Sequence, residues 1–120
     1  MCLAYEEEQI FHEMPREEWL ELRRETLEYV EALQKSGHLV SALPLKSART
    51  ASTLRIRDGR LSVSDGPFAE TKEQIGGFFL IEAADFDEAL EIAAKWPSAR
   101  LGTIEVRPIE DGLSADRRYE

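Results

Sequence analysis

A single cysteine, Cys2, stands in 120 residues, so no disulfide closes within the chain. No second thiol or neighbouring histidine gives it a zinc-type spacing. Long apolar runs are missing too. Nothing approaches the roughly 20 residues that cross a bilayer, and the opening MCLAYEEEQ turns acidic where a secretion signal begins basic. Positive charge is scarce: 15 Lys and Arg face 24 Asp and Glu, for a net charge of −9. That removes the broad basic field that gathers phosphates and argues against nucleic acid as a partner. The two histidines, His12 and His38, are isolated in sequence. Gly76-Gly77 opens an apolar run and lacks the lysine of a phosphate loop, and no G-x-S-x-G surrounds any serine. These absences lead to the expectation of a cytoplasmic protein with no metal, no cofactor, no nucleic acid and no membrane segment.

What is present reads as one α+β domain. Hydrophobic residues make up 42% of the chain, with five Phe, three Tyr and two Trp, enough for a packed core. Residues 1–5 suggest a strand, followed by a polar loop through Pro15. Residues 16–36 have helical spacing, with Trp19, Leu22, Val30 and Leu33 on one side and Glu17, Glu21, Glu28 and Glu31 on the other. Gly37 provides the left-handed cap. Residues 38–43 suggest a second strand. Alternating runs at 53–57 and 61–64 around Asp58-Gly59 predict a hairpin, because both turn residues need positive φ. Residues 76–82 (GGFFLIE) are apolar on both faces, which suits a central strand. Asp85 and Glu88 offer a capping box to a helix over 85–95 with a stripe of Phe86, Ala89, Leu90, Ala93 and Trp96. Residues 103–107 (TIEVR) close the series as a strand.

The order is a split βαβ, ferredoxin-like layout with a β-hairpin inserted in the middle. Two helices cover only one face of a sheet. The two-sided apolar strand therefore calls for a homodimer that buries the other face. Residues 1–109 are expected to form the domain and residues 110–120 a flexible tail.

Residues 65–73 read DGPFAETKE, and GGFFLIE and EVRPI follow downstream. On these residues the chain resembles the DGPFAETKE (DGPF-domain) branch of the YCII-related family over residues 1–109. The resemblance implies a ferredoxin-like subunit that pairs into a dimeric α+β barrel. The family is largely uncharacterised. Its wider relatives are suspected enzymes because a histidine of the first helix approaches an aspartate in a cleft. The matching helix position here is about Thr26, and no histidine lies within 16–36, so that pair does not carry over. Some DGPFAETKE-type proteins occur with extracytoplasmic-function sigma factors, which implies a regulatory association.

The loop from Asp65 to Gln74 is the candidate site, with Asp65, Glu70, Thr71, Lys72 and Glu73 supplying acid, hydroxyl and ammonium groups. Asp65 has two readings. It can cap the amides near Ala69–Thr71, or it can act as an acid–base or ligand-orienting group. Arg23 and Thr26 project into the apolar stripe of the first helix. Either they face a ligand, or Arg23 lies along the core edge and Thr26 bonds back to a carbonyl. Lys72 and Arg107 are the candidate counter-charges for Asp65. Two functions follow: a small-molecule-binding protein, or an enzyme, with its cleft beside the loop; and a non-catalytic dimeric interaction or regulatory module.

Overall fold

The computed structural model describes residues 1–120. In chain order it contains β1 (Cys2–Glu6), α1 (Glu8–Glu13), α2 (Arg16–Lys35), β2 (Leu39–Pro44), β3 (Ser52–Arg57), β4 (Arg60–Asp65), β5 (Gln74–Ile81), α3 (Phe86–Ala94) and β6 (Thr103–Val106). Short 3-10 turns lie at Ala48–Thr50, Pro97–Arg100 and Leu113–Ala115. The fold is mixed α+β. Four strands form an antiparallel sheet in the order β2-β5-β1-β6, and β3 and β4 form a separate two-stranded ribbon. No helix is long and apolar enough to cross a membrane.

Register decides which side chains meet the helices. Cys2 sits opposite both Phe79 and Val106, and Ala42 also faces Phe79. These residues point to the helical layer. Their neighbours Leu3, Phe78, Leu43 and Glu105 share the opposite face, because side chains alternate along a strand. Phe79 and Cys2 have no exposed surface. Trp96, just past α3, stacks on Phe79 with ring centroids 4.0 Å apart, and Tyr29 of α2 meets Trp96 edge-on at 6.2 Å. The Tyr29 hydroxyl donates to the Ile92 carbonyl (2.7 Å), which ties α2 to α3. Burial pushes the Cys2 thiol and the Tyr29 hydroxyl above their ordinary ranges.

Several expectations change. The loop expected before Pro15 contains α1, which has no apolar stripe or side-chain cap to announce it. Pro15 is the N-cap of α2. Along α2 only Leu33 is buried, whereas Trp19 is 41% and Leu27 52% exposed. A 20-residue helix runs about 30 Å and a five-residue strand about 17 Å, so α2 overhangs the sheet it packs on. In α3, Ile92 and Ala93 are buried and Phe86 and Leu90 stay largely exposed. Asp85 caps α3 by accepting from the Glu88 amide (2.8 Å). The Glu88 carboxylate reaches back to the Ala84 amide (3.2 Å), one residue upstream of the reciprocal bond in a capping box. The hairpin forms with Asp58 at φ 52° and Gly59 at φ 73°, the signs a type I′ turn requires.

Gly102 lies just before β6, where the backbone passes against Tyr5 of β1. A methyl group there would land on the Tyr5 carbonyl oxygen. Backbone cannot yield as a flexible side chain can, so Gly102→Ala is expected to lose about 1–3 kcal/mol of stability. Urea denaturation checks this, and an unchanged midpoint would refute the close approach of β6 to β1.

Candidate functional site

The loop between β4 and β5 is fastened at both ends by its own polar atoms. At the start, the Gly66 amide donates to the Ala51 carbonyl (2.7 Å), and the Gly66 carbonyl accepts from the Thr53 hydroxyl (2.9 Å). At the far end, the Gln74 side-chain amide donates to the carbonyls of Ala69 (2.7 Å) and Thr71 (3.0 Å). The Thr71 hydroxyl donates to the Glu73 carbonyl (2.7 Å). Gln74 and Thr71 therefore do the closing that the capping reading assigned to Asp65. The Asp65 carboxylate lies exposed at the end of β4, with no loop amide bonded to it.

Two cavities flank this loop. One, of about 570 Å³, is lined by Asp65, Glu70, Thr71 and Lys72 together with His12 of α1 and Arg49. The other, of about 600 Å³, has Tyr5, Leu45, Phe68 and Ile75 in its wall. Ala48, Pro67, Thr71 and Gln74 belong to both, so the loop is the partition between a polar and a largely apolar space.

The polar cavity is built by a second set of contacts, made by the acidic residues that follow β1. The Glu8 carboxylate accepts from the Ser47 hydroxyl (2.8 Å) and the Ala48 amide (2.6 Å), which fixes α1 against the segment after β2. Those two bonds hold the Glu8 carboxyl below the usual carboxylate range, the Ala48 amide contributing most. Glu6, half-buried at the end of β1, moves the other way: burial, then the negative charge of Glu8, pushes it up. Glu7 lies 3.9 Å from the Lys72 ammonium, a loose pairing across the cavity mouth.

The remaining residues singled out in the sequence lie elsewhere. The Thr26 hydroxyl donates back to the Leu22 carbonyl (2.8 Å), the local bond that was one of its two readings. Arg23 is exposed on α2 and lines neither cavity beside the loop. Arg107 pairs with Glu105 (3.0 Å) and bonds through its backbone to Met1. It sits beyond Val106, which is opposite Cys2 at the start of β1, whereas the loop joins β5 at Gln74, opposite Glu6 at the far end. Arg107 is thus about 17 Å from the candidate site and cannot serve as the counter-charge of Asp65. His12, Arg49 and Glu8 are the cavity residues the sequence did not single out. Their only signal was charge, and they converge through tertiary contacts alone. No three His, Cys, Asp or Glu side chains are grouped so as to hold a metal ion.

The YCII-related domain matches residues 1–112 of the chain. An uncharacterised protein of Rhizobium meliloti (strain 1021) is similar to it, with 38% identity over 109 residues, covering 89% of this chain and 88% of the relative.

A carboxylate whose bonds hold it below its ordinary value stabilises the fold above that value and loses its effect as acid protonates it. Glu8→Gln is therefore expected to speed hydrogen exchange at the Ala48 amide and to lose about 1 kcal/mol at neutral pH, with the loss shrinking in acid. Exchange rates indistinguishable from those of the parent would mean that Glu8 does not anchor the cavity wall.

Proposed function

The chain belongs to the YCII-related family, and from that premise we propose that it is a homodimeric small-molecule-binding protein whose site is the polar cavity beside residues 66–73. The contiguous DGPFAETKE at 65–73 supports assignment to the DGPF branch. With the ribbon set aside, the sheet order β6-β1-β5-β2 supports a ferredoxin-like subunit. The face carrying Leu3, Phe78 and Leu43 supports pairing of two such sheets into a dimeric barrel. The fully buried, unpaired thiol of Cys2 suits a reducing, cytoplasmic setting.

One observation carries the site: Asp65, a carboxylate with no bond to its own loop, lines the same cavity as the His12 imidazole. Carboxylate and imidazole are the side chains most used for proton transfer. The long helix supplies no histidine, but α1 places one in the wall of the cavity that Asp65 also lines. A ligand bearing an ionisable group would find acceptors in Asp65 and Glu70 and donors in Lys72 and Arg49. If a reaction is catalysed, Asp65 is the acid–base group. The alternative of a non-catalytic regulatory module working beside a sigma factor draws its support from Thr71 and Gln74, whose hydroxyl and side-chain N–H groups donate within the loop.

A panel of small carboxylic acids and amines, screened by amide chemical shifts, tests the reading. Shifts are expected to gather on residues 65–74, His12 and Arg49. Asp65→Asn should melt with the parent yet bind at least about tenfold more weakly, the effect of losing one charge-assisted hydrogen bond. An Asn variant that binds like the parent would eliminate Asp65 as the ligand group. A panel without a single binder would favour the regulatory module.

A further inference from the structure

We infer that the β3–β4 ribbon is an arm that seats its aliphatic face on a second copy of this chain and, in doing so, braces the loop at residues 66–73. The inference rests on the homodimer proposed above and specifies what that dimer is built from.

The ribbon is sided in a way that solvent does not explain. Leu54 pairs with Val63 and Ile56 with Leu61, so one face carries four aliphatic side chains and no polar ones between the ends of its strands. They are 64%, 60%, 62% and 65% exposed, respectively. The other face pairs Thr53 with Ser64, Arg55 with Ser62 and Arg57 with Arg60. Strict alternation of this kind is what a strand shows when one face is covered. Two strands alone are marginal in water and need a surface to pack on.

The size of the molecule points to a partner that covers much of it. The chain exposes 9222 Å², whereas a compact monomer of this mass exposes about 6,600 Å². Its radius of gyration is 16.8 Å against about 13.6 Å expected, and it is a slab of 48 × 40 × 18 Å. The surplus of about 2,600 Å² is roughly three times what one partner buries in an interface of standard size.

Charge favours a second copy as the occupant. The ribbon carries Arg55, Arg57 and Arg60 against Asp58 and Asp65, a net positive element on a chain of net charge −9. The body of another copy is therefore strongly acidic and offers the apolar sheet face of Leu3, Phe78 and Leu43. The arm is also tied to the site. The Arg55 guanidinium lies 5.2 Å from the Phe68 ring, Thr53 bonds to Gly66, and Asp65 is the last residue of β4. An arm held by a second copy holds the start of the loop still.

The test uses the full chain. Sedimentation should show a dimer at micromolar concentration. Ile56→Glu with Leu61→Glu should weaken that dimer at least about a hundredfold, the effect of losing two buried aliphatic side chains. Ser62→Glu, which adds charge to the polar face, should leave it intact and reports on any general damage to the ribbon. A benzoylphenylalanine photo-crosslinker at Ile56 should give a covalent dimer. A parent dimer that is insensitive to the double substitution and yields no crosslink from Ile56 would overturn the arm while leaving the homodimer standing. A monomeric parent would overturn both, and a monomer whose ribbon is protected only by anionic vesicles would give the arm to a membrane surface instead.

Discussion

Phe79 occupies the one position in this chain where sheet and helices cannot be separated. It lies on β5 between β1 and β2, with Cys2 and Ala42 opposite it and Trp96 stacked on its ring. Trp96 receives the edge of Tyr29, and Tyr29 bonds to the backbone of α3. Stacked and edge-on aromatic contacts add about 0.5–1.5 kcal/mol each to the area they bury, so this chain of rings fastens both long helices to one face. The same arrangement leaves the other face without cover, because the polypeptide has no third long helix to place there. A slab 18 Å thick, about one sheet and one layer of helices, is the direct result.

Antiparallel register then sorts charge between the two ends of the sheet. β1 leaves the sheet at Glu6 and β5 enters it at Gln74, so the acidic run 6–8, α1 and the loop at 66–73 gather at one end. β6 finishes at the other, carrying Arg107 with it. Two carboxylates two residues apart then meet opposite environments. Glu8 is drawn towards its charged form by an amide and a hydroxyl, while Glu6 is pushed towards its neutral form by burial and by the charge on Glu8. Composition would treat the pair alike, and only their partners separate them.

The elements that were legible in sequence are those whose signal is local. Asp58-Gly59 specified its turn by backbone sterics alone, and Asp85 its cap by a bond three residues long. Alternation put Phe78 and Phe79 on opposite faces of one strand, and only the folded chain shows that the helices cover the Phe79 side. The misreadings share one cause, which is that the deciding partner is remote in sequence. α1 is held by Ser47 and Ala48, some 40 residues away. The apolar stripe of α2 had the right period, but its exposure depends on how far the sheet extends beneath it. Asp65, Glu70, Thr71 and Lys72 could be grouped because they lie within one loop, whereas His12 and Arg49 join them only once the chain is folded. Arg107 was attractive by charge type and was misplaced by the length of a strand.

β2 and β5 are direct neighbours, with Pro44 opposite Gly77 and Leu43 opposite Phe78. Adjacent antiparallel strands are joined most simply by a turn of two to five residues. Here the chain leaves at residue 45 and returns only at residue 74, running through a 3-10 turn, the ribbon and the DGPFAETKE loop on the way. Closing the sheet does not require that excursion, and the Phe79 core is made by residues outside it. Yet the excursion contributes to both cavities, carries Asp65 and every residue of the ribbon, and holds four of the arginines of a chain otherwise dominated by acids. A long insertion adds little loop-closure entropy but exposes backbone and apolar surface that must find partners. Residues 45–73 thus line both cavities and form the ribbon, with the sheet and helices as the frame that holds them.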